Sequence, residues 1–73
     1  MKYEKIGLYI RNQRKLIGKS LNEFAIEIDV DSAILSRIEN QKQDIKLNVL
    51  HKIAKGFGKK TSEFLSDFEK IKD

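Results

Sequence analysis

The 73-residue sequence has no cysteine, no proline and a single histidine. Without cysteine there is no disulfide framework, and one histidine with no thiol partner gives no ligand set for a structural metal. The lone His51 is expected on the polar side of a helix as a surface residue. A chain this short hides only about 60% of the surface its unfolded form exposes. With no staple, the core must suffice alone or be extended by a second subunit. Long apolar runs are missing too, and no basic start leads into an apolar stretch of signal-peptide length, so a soluble, cytoplasmic protein is expected. Enzyme signatures are equally scarce. Gly56, Phe57 and Gly58 close a helical pattern and do not open one after a strand, so they are no phosphate loop. The carboxylates have no evident cleft in which to be tuned for catalysis. Neither an enzyme nor a cofactor is expected.

Charge is abundant and unevenly placed. Residues 1–20 hold six Lys or Arg against one Glu, residues 21–40 sum to −4, residues 41–60 to +5 and residues 61–73 to −2, for a net +4. Two basic blocks thus flank an acidic middle. In a nucleic-acid binder such blocks suit phosphate clamps beside a reading element, since phosphate contacts position and base contacts discriminate. The same charges also solvate helix surfaces in proteins of any function, so charge supports an interface without establishing one.

Apolar residues recur at helical spacing almost throughout, which predicts an all-α domain spanning residues 1–73. A first helix is expected over about residues 3–17, with Ile6, Ile10 and Ile17 on one face and Gly18 at its end. Ser20 followed by Glu23 predicts a capping box at the start of a second helix. Asp29 then falls where the chain needs a left-handed residue, a conformation Asp tolerates better than most. Asp31 caps a third helix over residues 32–39. Leu47, Leu50, Ile53, Ala54 and Phe57 mark a fourth helix ending at Gly58, and Phe64, Leu65, Phe68 and Ile71 mark a fifth from Thr61. Within residues 20–40, Phe24, Ala25, Ile28, Val30, Leu35 and Ile38 fall where two short helices joined by a tight turn must pack. That is a helix-turn-helix, which sets its second helix in the major groove of DNA.

These residues resemble the phage-repressor or Cro-like regulators, the XRE family of helix-turn-helix proteins. The likeness runs from about Ile6 to Leu65. It is carried by Arg11, Arg14 and Gly18, by Ser-Leu-Asn-Glu-Phe-Ala at 20–25, by Val30, by Leu-Ser-Arg-Ile-Glu-Asn at 35–40, and by residues 47–58. The resemblance implies a compact five-helix, lambda-repressor-like domain that binds double-stranded DNA in a sequence-specific way as a homodimer, without catalysis. It assigns base-facing positions to Ser32, Ala33, Ser36 and Arg37. It assigns phosphate contacts to Arg14, Ser20, Asn40 and Lys42, and a structural pair to Arg14 and Glu39. On chemistry, the two serines can donate or accept at base edges, Ala33 can meet a thymine methyl, and Arg37 can reach guanine bidentately or a phosphate. Leu21 replaces the glutamine that usually holds a phosphate, and Gln41 replaces a common glycine. Gln13 and Lys59 stand where leucine and valine are frequent.

Ile34 is expected to pack partly against helix two. Phe64, Phe68 and Ile71 extend the apolar stripe of the last helix. They either pack on helix one within a subunit or form the core of a dimer interface on a helix at 61–72; the interface is the expectation adopted. A twofold dimer places its reading helices about one DNA turn, roughly 34 Å, apart and calls for a palindromic operator. The expected role is a transcriptional regulator, a repressor associated with the nucleoid when bound to DNA. Two other settings stand beside it: an antitoxin that neutralises a partner toxin, and a controller of a restriction-modification or mobile element. Neither a membrane nor a small-molecule ligand is expected.

Overall fold

A computed structural model describes residues 3–72, with side chains described to residue 71. It contains five α-helices: α1 (Ile6–Leu16), α2 (Leu21–Ile28), α3 (Ser32–Glu39), α4 (Leu47–Gly56) and α5 (Thr61–Lys72). The all-α, five-helix arrangement agrees with the sequence reading. α3 packs on both α1 and α2, α4 on α2, and α5 on α4. The helix-turn-helix is therefore held between the ends of the chain.

Local chemistry accounts for most boundaries. Ser20 Oγ accepts from Glu23 N–H at 3.1 Å, and Glu23 Oε1 accepts from Ser20 N–H at 2.9 Å, closing the capping box of α2. The α3 cap is Asp31, whose Oδ1 accepts from Ala33 N–H at 2.8 Å. The chain leaves α1, α2, α3 and α4 through one device, a left-handed residue whose neighbour's N–H reaches back five residues. Gly18 and Gly58 supply it at α1 and α4; Asp29 at φ 58° and Gln41 at φ 60° supply it at α2 and α3. Both paired reach-back hydrogen bonds form at each end, as in a Schellman motif, so Gln41 preserves the loop that glycine would make, at a side-chain steric cost of about 1–2 kcal/mol.

Three expectations are corrected. α1 begins at Ile6, because Lys5 provides no capping side chain and residues 3–5 form only a turn. Ile17 and Leu47 are 46% and 74% exposed, so neither belongs to the core stripe. Phe64 and Phe68, expected at the core of an interface, are 1% and 4% exposed and are covered within the chain itself. Tyr9 is the reason. Its ring sits 5.4 Å from Phe64 and 5.2 Å from Phe68, so the last helix spends its aromatics on α1. Phe57 stacks on Phe64 at 5.6 Å and Phe24 on Phe57 at 4.7 Å, while Tyr3 stacks on Phe68 at 6.1 Å. Both tyrosines and all four phenylalanines thus join one run of ring contacts from the first turn to α2. Ile71, also expected at the interface, is 67% exposed.

α1 is fastened to α3 at two places. Gly7 meets the backbone of α3 so closely that a Cβ there would lie 2.0 Å from the Ile38 carbonyl oxygen, which excludes any side chain. Further along, Arg14 Nε and Nη2 donate to Glu39 Oε2 and Oε1, each at 2.8 Å, in a fork whose side chains are 8% and 3% exposed. Nη1 donates to the Lys19 carbonyl at 2.8 Å, tying the α1–α2 link to the same guanidinium.

Removing one member of a buried pair strands the other charge. Glu39→Ala is expected to lower stability by about 3–5 kcal/mol, whereas replacing Arg14 by Met and Glu39 by Leu together costs much less. Urea denaturation of the two variants checks the difference. The stability of the fold also has a pH signature. Hydrogen bonds from the Ser20 backbone and hydroxyl hold the Glu23 carboxyl below its ordinary 4.5, and one from Lys59 holds Asp67 below 3.8. The unfolded chain therefore takes up these protons first, and stability falls as pH drops from about 4.5 through the lower folded values. Burial raises the Tyr9 phenol above its ordinary 10.0, and the bond to Asp67 raises Lys59 above 10.5. Stability is then lost again as pH climbs past 10, with a plateau between about pH 5 and 9 in a thermal-melt series.

Candidate nucleic-acid interface

The candidate reading element is α3, eight residues long and apolar on one side only. Leu35 and Ile38 are fully buried, Ile34 packs against the core from a half-buried position, and Glu39 is held by Arg14. With that side committed, Ser32, Ala33 and Arg37 are exposed and Ser36 is half-buried. The helix is fixed at both ends before any ligand arrives. Its N-terminus is closed by Asp31, whose capping oxygen is engaged by backbone N–H and whose charge favours the positive end of the helix. At its C-terminus, Asn40 Nδ2 donates to the Ser36 carbonyl at 2.9 Å and lies 3.4 Å from Ser36 Oγ.

The other sequence-assigned residues fall into two groups. Ser20, Asn40 and Lys42 are exposed at helix ends. Ser20 Oγ accepts from Glu23 N–H in the capping box, and its hydroxyl also hydrogen-bonds the Glu23 carboxyl, so the cap already engages this side chain on both counts. Arg14 differs from these. Its Nε, Nη1 and Nη2 all donate inside the protein, and the bond to Glu39 pushes its already high pKa higher still. This guanidinium is permanently charged and belongs first to the frame that holds α3. Leu21, at the place of the expected phosphate-binding amide, is half-buried against the core.

One arrangement escapes sequence reasoning. Arg37 Nε donates to Gln43 Oε1 at 2.7 Å, across the turn made by Gln41. A spacing of six that crosses a helix end matches no helical or strand periodicity, so no signal in the sequence pairs them. His51 is exposed with Nδ1 3.4 Å from Thr61 Oγ1. Among the described residues there is no cluster of His, Cys, Asp or Glu able to hold a metal ion, and no helix long and apolar enough to cross a membrane.

Comparison with known proteins agrees with this architecture. A family model described as "Helix-turn-helix" matches residues 10–64, which includes α2, the turn and α3 whole. The chain is 45% identical over 51 residues to "Control protein C.MunI" from Mycoplasma sp, covering 70% of this chain and 69% of that protein. No solved structure matches significantly. With its capped α2, left-handed turn at Asp29 and half-open α3, the chain belongs to the Cro-like (XRE) family of helix-turn-helix DNA-binding regulators.

Proposed function

We propose that the protein is a sequence-specific, double-stranded DNA-binding transcriptional repressor that acts as a homodimer on a palindromic operator. The observation that carries this reading is the open side of α3, where Ser32, Ala33, Ser36 and Arg37 remain on a helix already immobilised by Asp31 and Arg14. A helix backbone held this way loses little further freedom on entering a major groove, so ordering the helix itself costs little on binding. Base reading falls to Arg37 on guanine, to Ser32 and Ser36 on base edges and to Ala33 on a thymine methyl. Ser20, Asn40 and Lys42 contact phosphates, and Arg14 contributes through the α3 frame more than through its own surface.

One eight-residue reading helix addresses only a few base pairs, and single modules of this kind bury roughly 600–1,000 Å². A second copy related by a twofold axis supplies the second half-site. Of the residues expected at the subunit interface, Ile71 is the one left exposed to contribute. Among regulatory settings, the likeness to a protein named as a control protein favours a controller of a restriction-modification or mobile element, its action set by its own concentration.

In a selection from random duplexes, the protein is expected to enrich one palindromic site. Arg37→Ala should weaken binding to that site by about 1–3 kcal/mol and relax preference at one position per half-site. Affinity should fall steeply with salt for selected and random duplexes alike, because phosphate contacts are common to both. Equal affinity for both classes would refute the reading. Sedimentation equilibrium is expected to show a dimer on the operator duplex, and Ile71→Glu should shift the protein toward monomer and weaken operator binding.

A further inference from the structure

Arg37 has two ways to grip a guanine. It can use Nε with one terminal nitrogen, or both terminal nitrogens end-on; each presents two parallel N–H donors to O6 and N7. In the free protein Nε–H is already committed to Gln43 Oε1 at 2.7 Å. Only the end-on fork remains. Gln43 itself is half-buried in the loop between α3 and α4, and that loop is turned back by the left-handed Gln41 and pinned by Lys42 N–H on the Arg37 carbonyl at 2.8 Å. Acceptor and guanidinium are thus parts of one closed turn. Lys42, by contrast, is an exposed point charge with no such geometry.

From this arrangement we propose that Gln43 is a specificity-determining positioning residue, which orients the Arg37 guanidinium for end-on, bidentate recognition of a guanine. The inference rests on the sequence-specific DNA-binding reading given above and deepens it. Gln43 acts without touching a base. By accepting from Nε it removes the side-on mode and fixes the outer torsions of a long side chain before the DNA arrives. The ordering cost of one such side chain corresponds to about a 2- to 12-fold difference in binding. That difference should appear only where guanine is present at the position Arg37 reads, since a duplex lacking it gains nothing from the fork.

The test compares wild type, Gln43→Met and Gln43→Glu. Methionine keeps the length of the side chain and removes the acceptor; glutamate keeps the acceptor and adds a charge. Binding is measured to the selected operator and to duplexes substituted at each base pair of a half-site, beside the Arg37 Nε–H resonance of the free proteins. The expected result is selective. Gln43→Met should lose about 2- to 12-fold of the discrimination at the same position that Arg37→Ala relaxes, with unchanged salt dependence and melting temperature, and its Nε–H should exchange rapidly with water. Gln43→Glu should retain that discrimination and a protected Nε–H while losing affinity for all duplexes alike. If Gln43→Met keeps full discrimination, or loses affinity equally on every duplex, the inference is overturned while the regulatory reading stands. A wild-type protein with no preference among duplexes overturns both, whereas a rapidly exchanging Nε–H in the wild type overturns the positioning role alone.

Discussion

Two charges taken out of water, the Arg14 guanidinium and the Glu39 carboxylate, set the position of α3, and the exposed row on that helix has a fixed address because of them. A buried ion pair is a poor source of net stability, because desolvating both groups consumes most of their attraction. Its value here is directional. The planar fork admits one mutual orientation, and the third donor, to the Lys19 carbonyl, carries that orientation into the link before α2. Gly7 makes the same connection by contact. Its missing side chain lets the backbone of α1 rest on the Ile38 carbonyl, so α1 and α3 meet at a close approach at one end and a charged clamp at the other. Glycine stands here, in the first turn of α1, because nothing larger fits.

The clamp works only if α1 is itself immobile, and the aromatic run provides for that. Tyr9 on α1 lies between Phe64 and Phe68 of α5, and Phe57 carries the contact on to Phe24 of α2. Offset and tilted ring pairs of this kind add roughly 0.5–1.5 kcal/mol each beyond the area they bury. In a chain with no cysteine to form a disulfide, that run stands in for a staple. It also explains why α5 offers less to a second subunit than its apolar stripe suggests, since the stripe's two largest members face inward.

Legibility in the sequence tracked the distance over which each feature is decided. The capping box of Ser20 and Glu23, the left-handed Asp29 and the Asp31 cap depend on residues two to five apart, and spacing alone reveals them. Ile17 and Leu47 were misread because periodicity marks a helix without saying where its buried stripe ends. Phe64 and Phe68 were misread for a different reason: an apolar face must be covered, but what covers it is Tyr9, more than fifty residues away. Gly7 looks unremarkable until the Ile38 carbonyl arrives above it, and Gln43 gives no sign until the Gln41 turn folds it back on Arg37. α3, its Asp31 cap and the Arg14–Glu39 pair were thus visible beforehand, the pair through the family resemblance, whereas the Gly7 approach and the Gln43 contact came only from tertiary structure.

The acidic middle of the chain shows how those parts fit a molecule that approaches polyanions. Five carboxylates fall within residues 21–40, enough to repel phosphate if all faced outward. Each has a partner in the fold. Glu23 closes the α2 cap, Asp31 closes the α3 cap, Glu27 bonds Lys19, Glu39 grips Arg14, and Asp29 lies 3.9 Å from Lys52, which also donates to the Asp29 carbonyl. Two of these groups sit at helix N-termini, where the dipole offsets negative charge, and three answer cations from the flanking basic blocks. Exposed members of that set are weak interactions singly. Helix ends and basic side chains thus offset this charge where it stands: Glu39 is buried on Arg14, whereas the Asp29 side chain stays 99% exposed beside Lys52.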